Sequence, residues 1–339
     1  MKVPEVSFDH LAAMSTDDGM YEHADHAVPR EEHGYCVDDV ARGLVVTVRE
    51  PHPTDRVLAL SRMYLEFTIE AQDSQGRSHN RRQANGRWLD EATTGDHWGR
   101  ALWGLGTAGS HGPNDESRAL ALGAARVCLR ARSHHPRAMA YAAVGAYEVL
   151  LAAPGDPLAV GMLEDARTVI GRAVPDADWP WPAARLTYAN ALIPEALLLI
   201  GSALGDAECT RDGLALLAWL VEQETSGTHL SVVPTGGWSA GESRPGFDQQ
   251  PIEVAALAEA CARALELTGD PRWAFVIDRC SAWFLGWNDS GLAVYDPATG
   301  GGLDGLLRDD VNLNQGAEST LAAIATFQLA HVAARTPAR

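Results

Sequence analysis

Lysine is almost absent from this chain: Lys2 is the only one in 339 residues, and 27 basic side chains face 45 acidic ones for a net charge of −18 with neutral histidines. So acidic a chain has no concentrated cationic face for phosphate, which argues against a nucleic-acid partner. A lone lysine at position 2 leaves no candidate for Schiff-base or pyridoxal-phosphate chemistry. Cysteine is scarce and scattered: Cys36, Cys128, Cys209, Cys261 and Cys280 are odd in number and include no CxxC pair. Neither a disulfide framework nor a structural metal is expected, and the reading is a reducing cytoplasm. No apolar run reaches the roughly 18 residues that a membrane span needs; the longest, 191–204, is broken by Pro194 and Glu195. The N-terminus lacks the apolar core of a secretory signal. GxGxxG after a strand, GxxxxGK[ST] and GxSxG are all missing, and no cofactor is expected.

What is abundant is apolar residues, 46% against only 21% charged, enough for a substantial core. They recur at three and four, the helical period, in paired segments: 38–49 with 54–71, 96–108 with 115–133, 137–152 with 157–173, 187–204 with 207–224, and 249–267 with 271–285. A last helix, 315–334, has the N-terminal segment 4–14 as its partner. The sequence therefore predicts an all-α (α/α)6 barrel of six helical hairpins in one domain spanning 1–339. Connections within pairs are short and carry breakers such as GSHGPN and APGD. Those between pairs are often about twenty residues or longer, which marks them as functional loops. Two of them, THLSVVPTGGW and LAVYDPATGGGLDG, read as short β-hairpins. With the first helix of each pair on an inner ring, every long loop falls on one face.

Polar groups gather where the inner helices begin. HGYCVDDVAR supplies Tyr35, Asp38, Asp39 and Arg42; GDHWGRALWGLG supplies Asp96, His97, Trp98 and Arg100; RLTYANALIPEA supplies Tyr188 and Asn190. GFDQQPIEVAA adds Asp248, Gln249, Gln250 and Glu253, and NLNQGAEST adds Asn314, Gln315 and Glu318. Asp38, Asp96 and Asp248 have an ordinary alternative as helix caps. Glu253 and Glu318 do not, since each lies about one turn inside an apolar helix, where an acid needs a partner. Arg42 is three residues from Asp39 and four from Asp38; Arg100 is four from Asp96, so both arginines read as ion-pair partners of acids on their own helices. Rings beside acids suit sugars, and Trp98, Trp238 and Trp287 are the expected platforms, with His23 on the first long loop. A metal site built on His23, His26 and nearby acids finds no HExxH or Cys/His cluster to support it.

The segments TDDGMYEHA, GYCVDDVARGL, DHWGRALWGLG, LTYANALIPEALLL, FDQQPIEVAAL and NLNQGAEST resemble the (α/α)6-barrel glycosidase superfamily. Within it, they look like poorly characterised bacterial glycosidase- or glycosyltransferase-like proteins. The resemblance implies carbohydrate chemistry on an oligosaccharide or glycoside, here a neutral one. It often means hydrolysis by an inverting pair, one carboxylic acid protonating the leaving oxygen and one carboxylate activating water. The expected catalytic residues are Asp39 or Asp38 with Glu318, then Asp96 and Glu253. His23, Tyr35, His97, Trp98, Arg100, Tyr188, Asn190, Trp238, Asp248, Gln249, Gln250, Trp287, Asn314 and Gln315 are expected to bind substrate. Two alternatives are a sugar epimerase or isomerase with histidine bases and a non-catalytic carbohydrate-binding protein.

Overall fold

A computed structural model describes residues 2–172 and 178–335. Among these residues twelve helices follow in order: α1 Asp9–Ala13, α2 Val37–Val48, α3 Asp55–Glu70, α4 Asp96–His111, α5 Asp115–Cys128, α6 Pro136–Ala152, α7 Pro157–Ile170, α8 Leu192–Leu204, α9 Ala207–Gln223, α10 Pro251–Thr268, α11 Arg272–Phe284 and α12 Ala317–Arg335. The even-numbered helices form the inner ring. Each packs on the next, from α2 through α4, α6, α8 and α10 to α12, and α12 closes the circle against α2. The odd-numbered helices lie outside: α3, α5, α7, α9 and α11 each cover the inner helix that precedes them, and α1 covers α12. This is the expected closed set of six hairpins.

Composition explains which helices go inside. Of the residues of α6, Ala138 to Ala146 are all buried, as a helix covered on both sides requires. Glycine makes the inner ring tight. A β-carbon at Gly99 would strike the Ala138 carbonyl, one at Gly106 the Gly145 carbonyl, and one at Gly145 the backbone of Leu102. The α4 and α6 backbones therefore touch without side chains between them.

Several boundaries differ from the sequence reading. The helix α10 begins at Pro251, because proline has no N–H to give the helix and favours its first turn. The helix α8 begins at Leu192 because 187–190 form a turn instead, with Ala189 at φ 45°. The helix α12 starts at Ala317, and α1 is only five residues long. The expected end of α7 at 173 lies outside the described residues.

Strands are two-residue ribbons on the loops. Tyr295–Asp296 pairs with Gly301–Gly302 within one segment expected to form a hairpin, whereas Thr225–Ser226, which precedes the other segment, pairs with His229–Leu230 at its start. Trp238–Ser239 instead pairs with Arg185–Leu186 across a gap in sequence. Among the described residues, no helix is long and apolar enough to cross a membrane.

Candidate active site

Among the described residues, side-chain caps occur only on outer helices, though α1 and α11 have none. The outer helices α3, α5, α7 and α9 have side-chain caps in Thr54, Asn114, Asp156 and Asp206. The inner helices α2, α4, α6, α8 and α10 have none; their N-cap residues are Cys36, Gly95, His135, Ala191 and Gln250. Capping therefore does not account for Asp38, Asp96 or Asp248. These acids lie at the mouth of the barrel, where the first turns of the inner helices meet the long loops.

Two adjacent aspartates open α2 and point different ways, as residues about 100° apart on a helix must. The Asp38 carboxylate accepts a short bond from Arg100 of α4 and a 3.1 Å bond from Asn80 Nδ2. Arg100 also donates to Tyr141 Oη of α6 at 3.2 Å and lies over that ring at 4.6 Å. Asp39 accepts from Arg42 Nη2 at 2.8 Å, while Arg42 Nη1 donates to Glu318 Oε2 of α12, also at 2.8 Å. One guanidinium thus joins Asp39 to Glu318. The expected pairing of Arg42 with Asp39 is present, but Arg100 pairs with Asp38 of the neighbouring helix α2 and not with Asp96 on its own helix.

Three carboxyls share two guanidiniums here, so full ionisation leaves an excess negative charge in a poorly solvated place. Burial pushes Asp39 up to about 7, with the neighbouring Glu318 and Asp38 adding to the rise and Arg42 opposing it. At Asp38 burial works in the same direction, but the Arg100 and Arg42 charges outweigh it and hold this carboxyl below its usual range. The Asp39 side chain is 4% exposed and that of Glu318 is 39% exposed. The site therefore offers a buried carboxyl that keeps its proton to near neutrality beside one that reaches solvent.

No family profile and no curated sequence matches the chain. Among solved structures, cellobiose 2-epimerase from Bacillus thermoamylovorans superposes with a TM-score of 0.72 at 11% identity, covering 97% of this chain and 95% of its own. The chain has the (α/α)6-barrel fold. D-mannose isomerase matches with a TM-score of 0.69 at 10% identity over 96% of this chain and 95% of its own. An inactive α-1,6-mannanase variant from Salegentibacter sp., in complex with α-1,6-mannotriose, matches with a TM-score of 0.64 at 11% identity over 96% of each chain.

Around the barrel mouth the other expected residues fall into three groups. Asp96, Tyr188, His97, Gln250 and Asn314 are half-buried on the rim. Tyr188 donates a short bond to Asp96, and its ring carries the Arg137 guanidinium at 4.1 Å. His97 Nε2 lies 2.9 Å from the Ser78 carbonyl, and Asn314 Oδ1 accepts from His26 N. Trp287, 50% exposed, and the half-buried Trp238 spend their indole N–H groups on the Thr228 and Glu242 carbonyls; the Trp238 ring packs edge-to-face with Trp179 at 5.1 Å, while that of Trp287 reaches solvent. His23 and Asp248 are exposed.

The third group is interior. Glu253 accepts from Ala189 N, Asn190 N and Asn190 Nδ2, so its carboxylate and Asn190 hold the turn that presents Tyr188. Burial pushes Glu253 up, and the donors from that turn oppose the rise. Gln249 is fully buried, donating to Gly246 O and Asp289 and accepting from Trp283. Gln315 is bonded to Thr299 and Asp296. Tyr35 bonds Thr16 and packs against Tyr21 and Phe67. Trp98 is wholly buried and has no face for a ligand, a correction with a simple cause: its position on α4 points into the core.

Tyr141, Asn80 and Glu22 are not evident from the sequence. Glu22, on the first long loop, binds Arg81, and its carboxylate, Cys36 Sγ and an Asp39 oxygen all lie within 4.8 Å of one another. Arg81 already pairs with Glu22, and Arg42 bonds Asp39, so two cationic side chains stand against this donor set and it is a poor match for a metal. The motif TDDGMYEHA contains Glu22, but loops carry no periodicity that would point to it.

Proposed function

We propose that this chain is a carbohydrate-active enzyme, a cytoplasmic glycoside hydrolase in which Asp39 is the general acid and Glu318 the general base. The observation that carries this reading is the Asp39–Arg42–Glu318 bridge, a buried protonated carboxyl and a solvent-reaching carboxylate joined by one guanidinium. A carboxyl that holds its proton beside a second carboxyl open to solvent is what glycosidic cleavage by an acid and a base requires. Asp39 would protonate the leaving oxygen, and Glu318 would take a proton from the water that attacks the anomeric carbon. Asp38, locked to Arg100, would stay ionised and bind or orient. The exposed Trp287 ring, with Tyr188 between Asp96 and Arg137, suits a neutral oligosaccharide. A mannanase of this fold is inactive as a variant in which two adjacent aspartates are asparagine, and Asp38–Asp39 is likewise an adjacent pair.

Epimerase and isomerase neighbours of the same fold support a second reading, with a histidine as base. His97 is its best candidate at the mouth, yet its Nε2 is already engaged by Ser78 O and Thr93 Oγ1. The deciding experiment incubates the protein with neutral oligosaccharides and with their reducing-end sugars, reading released sugar, anomeric configuration and epimer formation. Release lost in both Asp39→Asn and Glu318→Gln supports hydrolysis, with inversion expected for an acid–base pair acting on water. Epimer formation lost in His97→Ala and kept in Glu318→Gln would replace it with the second reading.

A further inference from the structure

Below the mouth, a cavity of about 50 Å³ lies on the barrel axis, walled by Val45, Val144, Leu192, Ile252 and Leu321 among others, with Arg42 at one end and Glu195 and Glu259 at the other. Two polar groups on its lining have no hydrogen-bond partner among the described residues although both are buried: the Trp103 indole Nε1 and Glu195 Oε1. Arg263 Nε approaches that oxygen only to 3.8 Å, too far for a hydrogen bond. An orphaned donor and an orphaned acceptor on one cavity are a costly combination unless something polar joins them.

We propose that the barrel axis is a specific water site, in which a small ordered cluster bonds the Trp103 N–H and the Glu195 carboxyl and extends to Arg42. The volume admits about three waters at roughly 15 Å³ each, and two to four polar partners is what a buried water needs. A metal cation fits the walls poorly, since the Arg42 guanidinium lies on the same lining as the two carboxyls and the rest is mostly apolar.

The charges around the base of the cavity indicate the form of Glu195. Three buried carboxyls, Glu148 of α6, Glu195 of α8 and Glu259 of α10, face two guanidiniums, Arg49 at the C-cap of α2 and Arg263 of α10. From α4, Ser110 donates to Glu148 and His111 lies 3.6 Å from it; exposed Glu266 shares Arg263. Glu259 has Arg49 at 2.6 Å and Glu148 has Arg263 and Ser110. Among the described residues Glu195 is left without a bonded cation, so it keeps the proton that balances the set. Burial and the nearby Glu259 charge push it up in agreement. It can therefore donate to one water while accepting from another.

Two measurements test this without any turnover, so they stand apart from the glycosidase reading. A high-resolution crystal structure of the wild-type protein should show ordered waters within hydrogen-bond distance of Trp103 Nε1 and Glu195 Oε1, and the water next to the indole should disappear in Trp103→Phe. A dry cavity in the wild type overturns the proposal. Infrared difference spectra at pH 7 should show a protonated-carboxyl carbonyl band that is lost in Glu195→Gln and retained in Asp39→Asn. Asp39, Glu224 and Glu253 can contribute bands of their own, so the readout is the component that differs between wild type and variant; if no component is lost in Glu195→Gln, the assigned proton on Glu195 is wrong.

Discussion

Asp38 and Asp39 are chain neighbours that the fold places in opposite electrostatic situations. Asp38 meets a guanidinium from another helix and an amide from the loop carrying Asn80; Asp39 has one guanidinium and must share it with Glu318. Asp39→Asn removes the proposed acid while keeping its shape, and should lower kcat/KM by about 10²–10⁴-fold, the usual worth of a positioned acid or base. The alkaline limb of the wild-type profile should fall near pH 7 and be missing from this variant. Full activity in Asp39→Asn would remove Asp39 from the chemistry. A second expectation concerns Glu253, whose bonds go to the turn at Ala189 and Asn190. Glu253→Gln should destabilise the protein by about 1–3 kcal/mol, because an amide cannot accept all three bonds, a loss that denaturant midpoints would register. Part of this site is legible in the sequence. Spacing on one helix pairs Asp39 with Arg42, but spacing says nothing about contacts between helices, so it matches Arg100 to the wrong acid. Asn80 and Glu22 sit on loops with no period to read.

At the scale of elements, the inner ring depends on helices that approach without side chains between them. Gly145 of α6 faces the Leu102 backbone of α4, with its would-be β-carbon 2.5 Å from the carbonyl carbon. Gly145→Ala should therefore cost about 2–3 kcal/mol through overpacking, since backbone cannot step aside as a flexible side chain can. A control lies on the outer helix α5. Gly123 is exposed, and a β-carbon there meets nothing within 4 Å. Gly123→Ala should raise stability by about 0.5–1 kcal/mol, because alanine loses less backbone entropy in a helix. Thermal or chemical denaturation of both variants settles the pair; equal effects would mean that packing between α4 and α6 is not what distinguishes them. The hairpin order is readable because burial on both sides leaves α6 and α8 apolar nearly all round. The helix starts are not, since at 187–190 a tertiary bond from Glu253 overrides local helix preference.

For the whole molecule, buried ionisable groups pull stability in opposite directions with pH. Asp38 and Glu148 are held below their usual range, because their arginine partners outweigh the burial that opposes ionisation. They bind fewer protons folded than unfolded, so their contribution is present above their ordinary values of 3.8 and 4.5 and is lost as pH falls. His10, buried and bonded to the Gln315 carbonyl, is pushed below 6.5 by burial and adds to the loss on acidification. Asp39 does the reverse. Folded, it holds a proton up to about 7, against 3.8 as a free side chain, so its stabilising proton is fully in place below the lower value and is lost as pH rises through the higher one. Glu195 and Glu224, both raised chiefly by burial, act in the same direction. A tenfold difference in proton affinity between folded and unfolded chain is worth on the order of 1.4 kcal/mol. Stability should accordingly peak on the acid side of neutrality and decline by roughly a few kcal/mol by about pH 8. The net charge of −18 deepens that decline through self-repulsion, so added salt should recover part of it. Urea midpoints measured from pH 4 to 9 test this directly. The slope between pH 5 and 8 should be negative in the wild type and shallower in Asp39→Asn, whatever the variant loses in absolute stability through Arg42. A wild-type curve that climbs steadily to pH 8 would mean that Asp39 enters the folded barrel already ionised, and the proposed acid would have no proton to give.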